Sequence, residues 1–378
     1  MPQLRVAIVC PGLGIADRGF ERASRDAFEA LREEPSLDVH LVKGRGPRAG
    51  RELVAPTVSR ESRIAKAVAH RRGRHDFWLE QLVFSATVQP HLLRLRPDVV
   101  MLGEWTLTRA LGVWRRLVRQ RYRILLYNGA GVGPPYPDGA DHIQQLTPDL
   151  FEQAVEEGEP PERQTVLPHA LEIPEEFTPP APAERRELRA RLGLPSDRLV
   201  VLSVGALNLW HKRMDYLVNE IASMSPRPFL ALLGARDEQT PELLSLARDE
   251  LGDDGFALRT VAPEEVGDYY RAADVFALAS GYEPFGLALV EALANGLPVV
   301  AQDTPRARYI LGEEGALGDF VRPGALAPLV AGAGDGHARG ERALARHRRA
   351  HEMFSWQRLR PRYVEMLGAA ARKLPREG

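Results

Sequence analysis

The chain has 378 residues, 44% of them hydrophobic, and its 50 basic and 51 acidic side chains leave a formal net charge of −1. This length predicts two domains of ordinary size, with enough apolar side chains for two cores. The balanced charge favours neither nucleic-acid binding nor electrostatic steering of an acidic substrate, and no apolar run approaches the roughly 20 residues that cross a bilayer.

The N-terminal segment contains the only cysteine, Cys10, which excludes a disulfide within the chain and is typical of a reducing compartment. Because Cys10 ends the apolar run RVAIVC, we expect a buried core side chain and not a reactive thiol. The apolar run is too short for a signal peptide and leads directly into Pro11. We therefore expect a cytoplasmic protein, or one peripheral to the inner face of the membrane.

The first predicted elements are strand RVAIVC, a glycine-bearing loop, a helix over about 20–33 and strand LDVHLVKG. This order predicts a parallel, Rossmann-like sheet. The loop carries Gly12 and Gly14, but the third glycine, Gly19, comes two residues later than in a dinucleotide-binding loop. Lys43 also stands where such a site places an acidic ribose ligand, so the pattern disfavours NAD or FAD.

Residues 60–75, RESRIAKAVAHRRGRH, carry six Lys or Arg against one Glu. A solvated helix and loop explain this composition most simply. The alternative is a surface for an anionic acceptor or for membrane headgroups, because apolar residues between 64 and 68 form a thin stripe. The sequence leaves both interpretations open.

The alternation of helices and strands continues through 76–172, with a helix over 76–95 and strands at 97–104 and 123–130. The Pro- and Glu-rich residues 173–183 then predict a linker between domains 1–172 and 184–355. The second domain repeats the pattern with strands LVVLSVGA, PFLALLGA, FALRTVA, VFALAS and PVVAQD. Two such α/β domains are expected to face each other across a cleft lined by loops at the strand C-termini.

Residues 273–303 combine two buried strands with an apolar helix over 287–295 in which Glu291 is the only charge. A carboxylate in such a helix is costly unless it accepts hydrogen bonds. The expected partner is either a pair of ligand hydroxyls or a distant Arg, and a structural ion pair remains open. Glu283 precedes Glu291 in an E-x7-E spacing, and Gly286 allows close approach to the helix N-terminus, which suits phosphate.

Lysine is rare in this chain: it occurs at four positions, while arginine supplies the other 46 basic residues. Lys212 is the only lysine between 67 and 372, and it follows a predicted strand in the loop LNLWHKRMD. A compact ammonium fits between phosphate oxygens better than a bulky, planar guanidinium. Lys212 is therefore a candidate phosphate ligand.

Residues 199–303 resemble the large retaining glycosyltransferase family 4 (glycosyl transferases group 1), whose members have the GT-B fold of two facing Rossmann-like domains. VLSVGALNLWHKRMDYLV resembles the family's strand, loop and helix with a phosphate-binding lysine, and EPFGLALVEALANGLPVVA resembles its E-x7-E signature. FSWQRLRPRYVEML is similar to the closing helices that cross back to the N-terminal domain, which implies this course for 356–378.

The resemblance implies a role for each matching residue. Lys212 would neutralise the diphosphate leaving group, Glu291 would hold the donor ribose hydroxyls, and Glu283 would face the donor sugar. The other implied substrate-binding residues are Phe285, Gly286 and Leu287 through their amides, Val261 beside the base, Gly12 and Gly14 on the opposite wall of the cleft, and Arg213. Arg213 would replace an arginine that family members often carry where this chain has Ala206.

The activity implied is transfer of a hexose-type sugar from a nucleotide-diphosphate donor, with a UDP- or GDP-sugar expected, to the hydroxyl of a glycan, lipid or small-molecule acceptor, with retention. No cofactor is expected, and no metal, since the chain lacks a D-x-D triplet and Lys212 can supply the positive charge. The alternatives are a GT-B nucleotide-sugar epimerase or hydrolase and a non-catalytic nucleotide-sugar binding protein. A pyridoxal-phosphate phosphorylase is disfavoured because Lys212 is already assigned to the phosphates.

Overall fold

The computed structural model describes residues 3–15, 19–59, 62–334 and 340–372. These residues divide into two compact units. The first unit extends to Glu172 and resumes at Trp356, and the second runs from Ile173 to Ser355.

The first unit is built on seven strands. They are β1 (Leu4–Cys10), β2 (Leu37–Lys43), β3 (Glu52–Val54), β4 (Val99–Leu102), β5 (Arg123–Tyr127), β6 (His142–Gln145) and β7 (Gln164–Val166). They form one parallel sheet in the order β3-β2-β1-β4-β5-β6-β7. Because parallel sheets are covered by helices on both faces, the central strands β1, β4 and β5 are nearly continuous apolar runs.

Seven helices cover this sheet. They are α1 (Gly19–Leu31), α2 (Arg63–Arg71), α3 (Trp78–Thr87), α4 (Gln89–Leu95), α5 (Trp105–Leu117), α6 (Pro148–Glu156) and α15 (Trp356–Ala371), the last helix of the chain. One core cluster joins β1 to α1 and α15, with Phe28 and Trp356 almost fully buried. A second cluster on the other face joins the sheet to α3, α4 and α5. Cys10 is fully buried, as predicted.

The second unit contains six strands. They are β8 (Val200–Val204), β9 (Phe229–Leu233), β10 (Phe256–Arg259), β11 (Val275–Leu278), β12 (Val299–Gln302) and β13 (Gly315–Gly318). They form a parallel sheet in the order β10-β9-β8-β11-β12-β13. The order reverses between β8 and β11, and ligands of open α/β sheets bind at such a reversal, beyond the carboxyl ends of the strands.

The helices of the second unit alternate with its strands. They are α7 (Pro182–Leu192), α8 (Met214–Ala222), α9 (Thr240–Leu251), α10 (Pro263–Ala272), α11 (Leu287–Ala294), α12 (Pro305–Leu311), α13 (Leu326–Ala333) and α14 (Gly340–Phe354). Buried Glu220 on α8 accepts hydrogen bonds from the amides of Leu326 and Ala327 and so caps the N-terminus of α13. Helix α7 begins at Pro182, so the last two residues of the predicted linker are helical.

The structure corrects the predicted elements at three places. The stretch 76–95, predicted as one helix, is the two helices α3 and α4. The short strands β3 and β13 were not predicted, and both lie at an edge of their sheets. Within the described part of the chain, no helix combines the length and apolar character needed to cross a membrane.

Candidate functional site

The candidate site lies at the carboxyl ends of β8 and β11. These strands are parallel neighbours at the reversal of strand order, so the loops that follow them begin side by side. The loop after β8 runs from Gly205 to Arg213, and the loop after β11 leads through Glu283 to α11. The predicted residues Lys212 and Glu283 thus start from adjacent strands.

The position of Lys212 is fixed by its own loop. The buried side chain of Asn208 accepts hydrogen bonds from the amides of Lys212 (2.9 Å) and His211 (3.3 Å). The lysine side chain then passes over Gly205, where a Cβ atom would lie 3.0 Å from the lysine Cε. Arg213, the residue before α8, has a left-handed backbone conformation with φ of 49°. The residue before a helix is normally extended.

Lys212 and Glu283, the two predicted catalytic residues, form an ion pair. The lysine Nζ donates to Glu283 Oε1 at 2.5 Å, and the two side chains are 14% and 15% exposed. The structure therefore brings together side chains that are 71 positions apart in the sequence. A partly buried pair is less screened by solvent and salt than an exposed one.

The loop that carries Glu283 is held from two sides. His211 Nε2 lies 3.0 Å from the carbonyl oxygen of Tyr282, to which it donates as an N–H group. Arg306 Nη1 donates to the Glu283 carbonyl at 2.8 Å, and its guanidinium lies 5.0 Å from the centre of the Tyr282 ring. Arg306 was not among the predicted site residues. Arg306 lies in the first turn of α12, where the helix dipole disfavours a positive charge. This position was a signal that the guanidinium interacts with a group outside the helix.

Helix α11 begins at the loop with the predicted phosphate-facing amides. Gly286 precedes it with φ of 107°, a conformation that requires glycine. Leu287 is the first helical residue and is half-buried. The ring of Phe285 is buried and packs edge-on against Phe354, so this residue could offer a ligand only its backbone.

Glu291 has a protein partner that was not predicted. Tyr270 on α10 donates from its hydroxyl to Glu291 Oε2 at 2.9 Å. Tyr270 was not among the partners considered from sequence, which were a distant Arg and ligand hydroxyls. A carboxylate has about four lone-pair sites, so this hydrogen bond does not exhaust the acceptor capacity of Glu291.

Two further predicted ligands lie on separate loops of the same unit. The guanidinium of Arg213 is placed over Tyr216, 4.7 Å from the ring centre. Val261 is half-buried in the loop between β10 and α10. That loop is anchored where Thr260 donates to the carbonyl of Gly234 at 2.7 Å. The roles assigned to Arg213 and Val261 stay predictions.

Two exposed aromatic residues are close to the ion pair in the sequence. Trp210 is 74% exposed and Tyr282 41%, and each is within two residues of Lys212 or Glu283 in the sequence. The rings of Trp210 and His211 are 5.2 Å apart. Aromatic side chains of this kind commonly pack against flat apolar faces of ligands.

In the first unit, Gly12 and Gly14 form the turn after β1, where the amide of Ile15 donates to Gly12 at 2.9 Å. Gly14 has φ of 81°, and a Cβ atom there would lie 2.3 Å from the carbonyl oxygen of Arg45. Packing between two loops therefore accounts for glycine at position 14. An approach of these glycines to a sugar or phosphate stays a prediction. Lys43 is buried and ion-paired with Glu52.

Several polar side chains at the carboxyl edge of the first sheet form hydrogen bonds with other residues of the same unit. The hydroxyls of Ser24 and Tyr127 are 2.8 Å apart, and they border a cavity of about 10 Å³ together with His169. Burial lowers the pKa of His169 to about 4. Asn128 directly follows β5 at this edge. It is buried, and its amide donates to Gln145 Oε1 at 2.9 Å.

The basic stretch 60–75 contains α2 and the loop after it, as predicted. Residues 60 and 61 and the side chain of Ile64 are not among the parts of the chain that the structure describes. Val68, Arg71 and Arg72 are exposed. Ala65, which was assigned to the apolar stripe, is buried within the protein. Among the described side chains of the apolar stripe, Ala67 and Val68 are therefore exposed and Ala65 is not.

The second unit thus offers a cation, two carboxylates and a helix N-terminus at one edge of its sheet. This set can bind an anion at Lys212 and hydroxyl groups at the carboxylates. Among the residues that the structure describes, no group of three His, Cys, Asp or Glu side chains is arranged to hold a metal ion. A reaction without a metal stays a prediction.

The segment that carries this edge matches a known protein family. Residues 184–331 match the family described as glycosyl transferases group 1. D-inositol 3-phosphate glycosyltransferase of Xylanimonas cellulosilytica is 32% identical over 219 residues, 56% of this chain and 52% of that protein. Mannosylfructose-phosphate synthase of Agrobacterium fabrum is 35% identical over 135 residues, 33% of this chain and 29% of that protein. The chain thus spans about half the length of the first relative and under a third of the second.

Solved structures resemble the whole chain. Sucrose-phosphate synthase from Thermosynechococcus elongatus has a TM-score of 0.76 at 19% identity, covering 97% of this chain and 100% of that one. HepE from Anabaena, in complex with UDP-glucose, has a TM-score of 0.75 at 15% identity, with coverages of 97% and 100%. At these identities the likeness concerns the fold, and it confirms the predicted GT-B fold with two Rossmann-like domains.

Proposed function

We propose that this chain, whose residues 184–331 belong to the glycosyl transferases group 1 family, is a glycosyltransferase that moves a hexose-type sugar from a nucleoside diphosphate to an acceptor hydroxyl with retention. The observation that carries the proposal is the ion pair of Lys212 and Glu283 within the segment that matches the family, beside the N-terminus of α11. A UDP- or GDP-sugar is the expected donor.

In the proposed reaction, cleavage of the sugar–phosphate bond leaves negative charge on the diphosphate and positive charge on the sugar. Lys212 and the amides at Gly286 and Leu287 stabilise the diphosphate because they are held in place before the reaction. Glu291 binds the donor ribose hydroxyls, with Tyr270 orienting its carboxylate, and Glu283 orients the hydroxyls of the sugar. The departing phosphate takes the proton of the acceptor hydroxyl, so no protein nucleophile is needed.

The acceptor is a glycan, a lipid or a small molecule. We further propose a peripheral membrane contact through 60–75, supported by the exposed Arg71, Arg72 and Val68 of the basic stretch. Flotation with vesicles of phosphatidylglycerol tests it: binding that falls when Arg71 and Arg72 become Gln supports the contact, and no binding by the wild type overturns it.

A thermal-shift screen against UDP, GDP, ADP and dTDP sugars tests the proposed activity, since a ligand that binds the folded state stabilises it and a tighter ligand at the same concentration stabilises it more. The donor that binds is then incubated with candidate acceptors and the products are separated. Sugar transfer supports the proposal. Donor hydrolysis or epimerisation without an acceptor supports the epimerase or hydrolase instead, and binding without any turnover supports a non-catalytic protein.

A further inference from the structure

The ion pair at the site implies that two anions, the Glu283 carboxylate and the diphosphate, bind the same ammonium group of Lys212. Glu283 Oε1 already contacts the ammonium of Lys212, the group proposed to bind the diphosphate. A carboxylate at that place neutralises the lysine charge and also repels an arriving diphosphate, because both are negative. Glu283 therefore acts on diphosphate binding as well as on the sugar.

We propose that Glu283 competes with the nucleoside diphosphate for Lys212 and so limits how tightly the diphosphate product is held. This inference rests on the proposed function, because it takes the diphosphate of a nucleotide as the competing anion. The arriving diphosphate takes over the ammonium, and the Glu283 carboxylate turns to the hydroxyls of the sugar. After transfer, the carboxylate returns to Lys212 and promotes release of the nucleoside diphosphate.

The surroundings of the Lys212–Glu283 pair hold it in place more firmly than an exposed ion pair, which favours competition between Glu283 and the diphosphate. Asn208 holds the backbone of Lys212, and Gly205 leaves a narrow passage for its side chain. Arg306 holds the backbone of Glu283. Because both backbones are anchored and both side chains are mostly buried, the pair loses less to side-chain entropy and solvent screening than an exposed pair does.

Calorimetric titration of UDP and GDP tests the competition with Glu283→Gln, which keeps the shape of the side chain and removes its charge. We expect this variant to bind the preferred nucleotide about tenfold more tightly than the wild type. Lys212→Gln should bind it more weakly. When both substitutions are combined, the gain from Glu283→Gln should shrink to about two- to threefold, since only direct repulsion then remains.

Two controls separate this effect from a general change of charge or structure. Asp268→Asn removes a carboxylate from another ion pair of the same unit, with Arg191 at 2.6 Å, and should leave nucleotide affinity unchanged. Uridine, which lacks phosphate, should bind the wild type and Glu283→Gln equally. A purely structural role of Glu283 would weaken both ligands and lower the melting temperature.

Equal or weaker binding of the nucleoside diphosphate by Glu283→Gln overturns the competition. If the wild type binds no nucleoside diphosphate, the proposed function is wrong. The competition at Lys212 is then tested separately by comparing the binding of inorganic pyrophosphate to the wild type and to Glu283→Gln. Tighter binding of pyrophosphate by Glu283→Gln supports competition at Lys212. Equal binding, or no binding by either protein, overturns it.

Discussion

The carboxyl edges of the two sheets carry different chemistry, although the first six strands of each unit follow the same order. At the first edge, burial raises the pKa of the Cys10 thiol and of the Tyr127 phenol well above their usual ranges, with Glu104 adding to both. Burial also lowers the pKa of His169 to about 4. All three shifts favour the uncharged form of the group.

At the second edge, the corresponding loops and the first turns of α11 hold charged side chains. Lys212 faces Glu283, Glu291 accepts from Tyr270, and Trp210 is largely exposed. The strand order fixes where a ligand can approach, whereas the side chains decide which ligand is bound. This contrast supports the proposal that a nucleoside diphosphate binds at the second edge.

Replacing Lys212 by alanine is the strongest way to break this contrast. We expect turnover to fall by about 10²- to 10³-fold, the size seen when one preorganised charge-stabilising group is removed, with a smaller change in the donor KM. Initial rates with the donor identified by the screen measure the effect. Lys66→Ala is the matched control, since it removes a lysine of the first unit, and its rate in solution should equal that of the wild type. A Lys212→Ala rate within threefold of the wild type would exclude a catalytic role for the second edge.

Substitution of Glu291 sharpens the contrast by separating ribose from phosphate. Loss of hydrogen bonds to a charged group should weaken UDP binding by about 30-fold in Glu291→Gln, and loss of one orienting hydroxyl by about fivefold in Tyr270→Phe. Calorimetry measures both.

Inorganic pyrophosphate is the control ligand for these variants because it has no ribose. Its affinity should stay at the wild-type value in Glu291→Gln. If UDP and pyrophosphate are weakened equally and the melting temperature falls, Glu291 supports the structure of α11 and does not bind ribose.

Acid should destabilise the protein through the first unit. Burial, with a contribution from the charge of Arg163, lowers the pKa of His142 to about 4, whereas an unfolded histidine titrates near 6.5. Between these values the unfolded state binds a proton that the folded state does not. Stability is therefore complete above about pH 6.5 and is lost as the pH falls, by about 2 kcal/mol from pH 7 to pH 5 for this residue.

Urea denaturation of the wild type and of His142→Gln at both pH values checks this contribution. The variant should lose about 2 kcal/mol less than the wild type between pH 7 and pH 5. An identical loss in both proteins would show that His142 is protonated in the folded state at pH 5 as readily as in the unfolded one.

The sequence predicted the central strands of both sheets because their apolar, β-branched runs are long enough to be distinctive. It did not predict β3 or β13, whose sequences ELV and GALG are short and become strands only by pairing at a sheet edge. The candidate site shows the same limit. Lys212 and Glu283 were each chosen from local motifs, but their ion pair depends on strand adjacency that no local pattern contains.

Gly205→Ala has the smallest expected effect on turnover. It tests how precisely Lys212 must be placed at the second edge. The added Cβ would lie 3.0 Å from Lys212 Cε and 3.1 Å from its Cδ, closer than carbon atoms normally approach, so the side chain must shift. The charge is kept and only displaced, which should lower turnover by about three- to tenfold, much less than removal of the lysine.

Gly332→Ala on α13 is the matched control, because a Cβ atom there would meet nothing within 4 Å and turnover should equal that of the wild type. Steady-state rates of both variants decide the outcome. An unchanged rate in Gly205→Ala would mean that the ammonium reaches the diphosphate along more than one path, so that charge alone matters at this edge. A loss as large as that of Lys212→Ala would mean that placement accounts for nearly the whole contribution of the lysine.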